Sequence, residues 1–328
     1  MRRSLWSEIA AIAASAGSVE RRAEAVLEPL GRVIPFSAAW IGVRDPETRQ
    51  HRAVGRSGDV GALARYFALP DADDDLERLG LNRFGPPVRA SDLPVPLPEV
   101  RAWGEYLLPA GFRDGFALAL FSEDGRHLGF ISLLTDDPAR RTTAYAGLVG
   151  ALRPLLAAAI DRLPGLAAVA ELAGDALGAV AMTRAGSTLP LDGLPGHALL
   201  APRSTVLDVA RQLLTATPGG AASFLSPWAG DLVRITVVDC RDSAGDHLAA
   251  VVLVRPPPDL RGWSPVHLQV LGALLEGWNT ERISARLPGV PVAAVMAELT
   301  AGKGPAATEA VVLAAAREGC YVPPALWW

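Results

Sequence analysis

The period of apolar and polar positions changes twice along this 328-residue chain, and the changes mark out three segments. In the first, running to about residue 164, Leu5, Ile9 and Ile12 recur at helical spacing. Val26, Leu27, Leu30 and Ile34 then share one face of a second helix. Ala38 to Val43 is a short β-like run that ends at the charged turn Arg44-Asp45-Pro46. Gly115–Phe121 and Leu128–Leu134 flank the turn Ser122-Glu123-Asp124-Gly125, which is the spacing and turn chemistry of a hairpin. Leu148, Leu152, Leu155, Ala159 and Leu163, spaced by three or four, predict a long closing helix.

The second segment, 165–260, again mixes periods. Leu177 to Met182 reads as a strand, Ser204 caps a helix through Leu214, and two further strands are expected at Leu232–Val238 and His247–Val254. Pro256-Pro257-Pro258 punctuates its end. The third segment, 261–328, is helical throughout. Ser264 and Pro265 open a helix as N-cap and first-turn proline, and Gly277 stops it. Asn279 or Thr280 caps a shorter helix presenting Ile283 and Leu287, which Pro288-Gly289 breaks. A third helix from Val292 to about Ala301 and a fourth from Ala306 to Arg317 complete a bundle.

Composition narrows this picture. Half the residues are apolar and a fifth charged, so disorder is excluded. The most apolar stretch, Ala144–Ile160, is interrupted by Arg153 and Pro154 and falls short of the roughly 20 residues a spanning helix needs, so no membrane partner is expected. Arg2 and Arg3 precede an apolar patch as in a leader peptide, but Glu8 sits inside it and favours a surface-docking helix. Two cysteines, Cys240 and Cys320, make no disulfide framework, and the expected compartment is the cytoplasm. The net charge of -4 gives no global basic footprint for nucleic acid.

The hairpin, its Asp-Gly turn, the following Gly129-Phe130-Ile131-Ser132-Leu133 and the closing helix resemble the GAF family of small-molecule sensor domains. The second segment is similar to a reduced PAS unit. In the third, Ser264-Pro265, Val270-Leu271, Leu274, Glu276-Gly277, Ile283, Ala285 and Arg286-Leu287 resemble the LuxR-type helix-turn-helix, as do Ala310-Val311 and Arg317 to Pro323 at its far end. The resemblance implies an α+β chain: a GAF-like sensor domain at 1–164, a PAS-like α+β unit at 165–260 and a four-helix LuxR-type bundle at 261–328. It also implies a ligand-responsive transcriptional regulator acting as a homodimer or paired with a relative.

One departure weakens that function. The family reads DNA with polar and basic residues of its third helix. Here Val292 to Ala301 holds no cation and one glutamate, and from Ser264 to Trp328 four cations against five glutamates leave -1. About two residues are also missing around the turn before that helix. Arg282, Arg286 and Lys303 remain as weak DNA contacts, so direct binding is expected to be weakened or lost. The alternative is a repurposed metabolite-binding or catalytic protein whose helical module only packs or dimerises. No catalytic motif, nucleotide loop or metal-ligand spacing supports an enzyme, and no cofactor is indicated.

Aromatic residues gather in the first segment. Trp40, Phe67, Trp103, Tyr106 and Phe116 are the candidate lining of a sensor pocket, although Phe116, like Phe130, falls at a core position of a strand. Asp71, Asp73, Asp74 and Asp75 lack a glycine-pivoted ligand loop and read as a solvated loop rather than a cation site. Val292, Val295, Met296 and the closing Trp327-Trp328 are candidates for an exposed apolar surface.

Overall fold

The structure, a computed structural model, describes every residue except 1, 16, 141, 172–173, 217–219, 242–246, 261, 301–304 and 328. It is a mixed α+β chain with two antiparallel five-stranded sheets. Two compact units divide it, Met1–Arg162 and Leu163–Trp328.

The first unit opens with α1 (Arg2–Ala13) and α2 (Val19–Gly31). Ser18 caps α2 by accepting from the Arg21 amide. Its strands are β1 (Ala38–Arg44), β2 (His51–Ser57), β3 (Val88–Arg89), β4 (Asp114–Phe121) and β5 (His127–Thr135), in the order β2-β1-β5-β4-β3. Strand alternation sends successive side chains to opposite faces. Ala39, Ile41, Leu118, Leu120, Ile131 and Leu133 form a core with residues of α1, α2 and the closing helix α5 (Ala146–Ile160). The stretch Pro138–Ile160 is long and apolar enough to cross a membrane. Its residues Val149, Leu152, Leu156 and Ile160 are nevertheless buried in this core, as in the central helix of a globular domain.

The other face carries Ala38, Trp40, Phe130 and Leu134. It is covered by α3 (Gly61–Phe67), α4 (Ala72–Arg78) and a π-helical turn, Ala102–Leu107. Gly104 lets that turn approach closely, since a Cβ there would fall on the carbonyl of Pro98.

The second unit contains α6 (Leu163–Glu171), β6 (Gly178–Thr183), β7 (Thr188–Pro190), α7 (Thr205–Ala216), β8 (Ala221–Trp228), β9 (Asp231–Asp239) and β10 (Leu248–Arg255). Its sheet runs β7-β6-β10-β9-β8, the same second-first-fifth-fourth-third order as the first. The weak strands β2, β7 and β8 carry no clean alternation and were not expected from the pattern. Beyond the three prolines lie α8 (Pro265–Leu275), α9 (Thr280–Arg286), α10 (Val292–Leu299) and α11 (Pro305–Glu318). Asn279 caps α9 by accepting from the Arg282 amide at 2.9 Å, and Gly277 takes the left-handed φ of 74° that stops the preceding helix.

These four helices share one apolar cluster with the second sheet. Val270, Leu271, Ile283, Val292, Val295 and Tyr321 belong to the same core as Val206, Leu207, Phe224 and Ile235. The Leu225 amide donates to the Tyr321 carbonyl at 2.8 Å, and the Val322 amide donates to the Leu268 carbonyl at 3.0 Å. Val292 and Val295 are therefore buried and Met296 and Trp327 half-buried, which removes the exposed apolar surface expected there. Trp328 lies outside the described residues.

Candidate functional site

Small residues on one sheet face create the site. Ala117 and Ser132 are cross-strand partners, and Gly115 pairs with Leu134, so the sheet floor is shallow there. Long side chains roof it: Leu63, Tyr66 and Phe67 from α3, Leu76 from α4, and Trp103 and Leu107 from the π-helical turn. Between floor and roof is a cavity of about 70 Å³. A dry engineered cavity of about 150 Å³ accepts benzene. A ring-sized guest here therefore requires some roof side chains to change rotamer.

The five candidate lining residues are placed as follows. Phe67 and Trp103 border the cavity, both more than nine-tenths buried. Trp40 stacks on Phe67 with centroids 5.6 Å apart, and Tyr106 packs edge-on against Tyr66 at 5.6 Å. Phe116 borders the cavity, but its core neighbours lie on the opposite face of the sheet. Four of the five thus share one aromatic compartment. The residues missed are Tyr66, Phe130 and the small floor residues. Their sequence trace is the short side chain at every second position, Gly115, Ala117 and Ala119, followed by Ser132 on the partner strand.

A polar cluster adjoins this compartment. Asp73, on α4, accepts from Arg44 Nε at 2.9 Å and Nη2 at 2.8 Å, from Arg49 Nε at 2.7 Å, and from His51 Nε2 at 2.7 Å. Burial alone would raise the Asp73 carboxyl, but the bonds from Arg44, His51 and Arg49 outweigh it and hold it well below the usual carboxylate range. The acidic run is accordingly helical rather than a loop, with Asp71 and Asp74 exposed and Asp73 and Asp75 withdrawn from solvent. Asp73 is buried because the β1–β2 hairpin brings Arg44, Arg49 and His51 to meet it, and Asp75 is buried against Tyr66, Arg78 and Arg101. Tyr66 donates toward Asp75 Oδ2 at 3.2 Å, and burial pushes its hydroxyl pKa up. Among the described residues no group of three or more His, Cys, Asp or Glu could hold a metal ion.

Two of the buried polar atoms left unsatisfied among the described residues belong to this aromatic compartment and its polar edge. Trp40 Nε1 and His51 Nδ1 are buried and have no hydrogen-bond partner among the described residues. An unpaired buried polar group costs on the order of 1–3 kcal/mol, so such a pair beside an aromatic cavity is an expensive feature for a fold alone. Burial lowers the His51 pKa against the pull of Asp73, which keeps the imidazole neutral near pH 7. Since Asp73 only accepts, the ring proton sits on Nε2 and Nδ1 presents a lone pair.

In the second unit, Arg282 and Arg286 project from α9 and are exposed. Arg282 stacks over the Trp278 ring at 4.0 Å. Lys303 lies outside the described residues. The exposed positions of α10 are Ala293, Ala294, Ala297 and Glu298, and Glu298 is bonded to His267 at 2.9 Å.

No family model matches the chain, and no curated protein does. Among solved structures it is similar to the bacteriophytochrome RpBphP3 of R. palustris, with 13% identity over 77% of this chain and a TM-score of 0.34. The chain spans 63% of that protein's length. The A. aeolicus nlh2 GAF domain in an inactive state aligns with 48% of this chain and 94% of its own length, at 16% identity and a TM-score of 0.33. The chromophore-binding domain of a Stigmatella aurantiaca bacteriophytochrome covers 46% of this chain and 59% of its own length, at 17% identity and a TM-score of 0.30.

Proposed function

We propose that residues 1–164 form a GAF-like sensor domain whose ligand sits between the sheet and its aromatic roof. The observation that carries this reading is the shallow floor of Gly115, Ala117 and Ser132 beneath Phe67 and Trp103, which leaves a hollow where a plain core would be filled. Thermal unfolding of the full chain with and without naphthalene tests it. Naphthalene is expected to raise the Tm of the wild type and to leave Ala117→Leu, whose added carbons fill the hollow, unshifted. Equal shifts in both proteins, or none in the wild type at saturation, would sink the reading.

In the same proposal the chain is a cytoplasmic, ligand-responsive regulator of GAF–LuxR architecture. Residues 165–260 are its PAS-like unit and 261–328 its LuxR-like output module, working as a homodimer or with a related regulator. Direct DNA contact is weakened. The exposed face of α10 offers alanines and a glutamate to a polyanion, and only Arg282 and Arg286 of the described candidates stand on the neighbouring helix. Titration of duplex DNA at rising salt is the test. Binding no tighter than micromolar at low salt, lost by about 0.15 M, is expected from so few phosphate contacts. Nanomolar, sequence-selective binding at that salt would contradict the weakened contact.

A further inference from the structure

The unsatisfied Trp40 and His51 stand on one face of the sheet and both pack against Phe67. In β1, positions 40, 42 and 44 point to the roofed face, and His51 is the cross-strand partner of Arg44. The Trp40 indole nitrogen lies over Gly42, where a Cβ would come within 2.5 Å of it. Glycine at 42 therefore holds open the position of that N–H on the face that also carries His51. Phe67 joins the two: its ring centroid is 5.6 Å from Trp40, 5.2 Å from His51 and 5.0 Å from Phe130. Phe67 and Phe130 also border the cavity, so a rotation of the Phe67 side chain connects the hollow with the polar pair.

We propose that Trp40 Nε1 and His51 Nδ1 are the recognition groups of this site, and that its ligand is a neutral planar heterocycle carrying both an acceptor for the indole N–H and a donor for the imidazole lone pair, as a lactam edge does. This rests on the sensor reading above. The chemistry of the compartment argues for a neutral ring. Its walls are Phe67, Phe130, Trp40 and Leu63, which favour a flat apolar body. The nearby charges are already matched, Asp73 by Arg44, Arg49 and His51, so none is left at the pair to meet an ionic ligand. What remains is one donor and one acceptor, each of which gains a hydrogen bond only from a guest of the complementary kind.

Four bicyclic probes of similar size separate these effects by calorimetric titration of the full chain near pH 7.5. Naphthalene offers neither function, indole a donor, quinoline an acceptor and 2-quinolone both. Each satisfied group is expected to tighten binding about tenfold, so that 2-quinolone exceeds naphthalene by about a hundredfold, with indole and quinoline between. In Trp40→Phe the 2-quinolone affinity is expected to fall about tenfold, to the level of indole, while indole and naphthalene change less than about threefold. Equal affinity for naphthalene and 2-quinolone overturns the assignment of the pair while leaving the sensor reading intact. So does a Trp40→Phe variant that keeps the full 2-quinolone preference. Failure of all four probes to bind removes the sensor reading and this inference with it.

Discussion

At His127, burial dominates, with the nearby Arg44 charge adding to it, and together they push the pKa down to about 4. Its Nε2–H donates to the Gly129 carbonyl, 3.0 Å away. The folded chain therefore holds the ring neutral where the unfolded chain protonates it. The associated stability is full above about pH 6.5 and drains as pH falls from there through 4. His51 is shifted in the same direction by burial. Urea midpoints are thus expected to drop between pH 7 and pH 4.5 by an amount worth about 2 kcal/mol, and His127→Gln should flatten part of that slope. Asp73 acts in a lower window, since its depressed carboxyl protects the fold until pH falls below the ordinary carboxylate range. Asp73→Asn leaves Arg44 and Arg49 partly uncompensated, and a loss of about 3 kcal/mol in chemical denaturation is the expected result. This charge cluster was illegible from the chain. Four aspartates in five positions read as solvated because the partners of Asp73, namely Arg44, Arg49 and His51, come from a hairpin more than twenty residues away. The Arg101 that meets Asp71 and Asp75 lies as far on the other side.

The clearest elements in the sequence were those with local punctuation. Ser264-Pro265, Asn279 and Gly277 placed α8 and α9 to within a residue, because capping is a short-range hydrogen-bond problem. The β4–β5 hairpin was equally plain from its turn and apolar runs. Strands β2 and β8 were hidden. β2 lies at the edge of its sheet and carries arginines at 52 and 56, and β8 mixes Ser223, Ser226 and Pro227 among its apolar positions. The aromatic compartment was half legible: the large residues stood out, whereas the hollow depends on small residues that align only through strand register. One close approach outside the site is a sharp test of packing. A Cβ at Gly272 in α8 would coincide with the Val322 carbonyl, whose chain segment pairs with Leu268 and runs beside β8. Gly272→Ala is expected to cost more than about 2 kcal/mol and to weaken near-ultraviolet signals from Tyr321, while Gly147→Ala, in open space on α5, should be neutral or slightly stabilising.

For the molecule as a whole, the apolar clusters state which pieces stand alone. Both cores of the first unit are built entirely from residues before 163, so a fragment 1–162 is expected to unfold cooperatively by circular dichroism. The helical module is different. Val270, Leu271 and Tyr321 complete a core with Phe224 and Ile235, so a fragment 261–328 should lack a cooperative transition, whereas 163–328 should show one. A sharp transition in 261–328 alone would mean that the helices need no sheet. The change of pattern at the three prolines would then also be a boundary of stability.

The shared strand order bears on how the chain is made. In each sheet the fifth strand lies at the centre, between the first and the fourth, and the first has the second on its other side. β1 therefore emerges from the ribosome long before β5, its partner on one side, and β6 long before β10. Each unit must hold a strand with one open edge until its central strand, the last to be made, arrives, the period in which exposed apolar backbone is most open to wrong partners. Synthesis should thus pass through two waiting intervals, and a stall before Leu134 or before Val254 is where a nascent chain of this protein would most depend on chaperones.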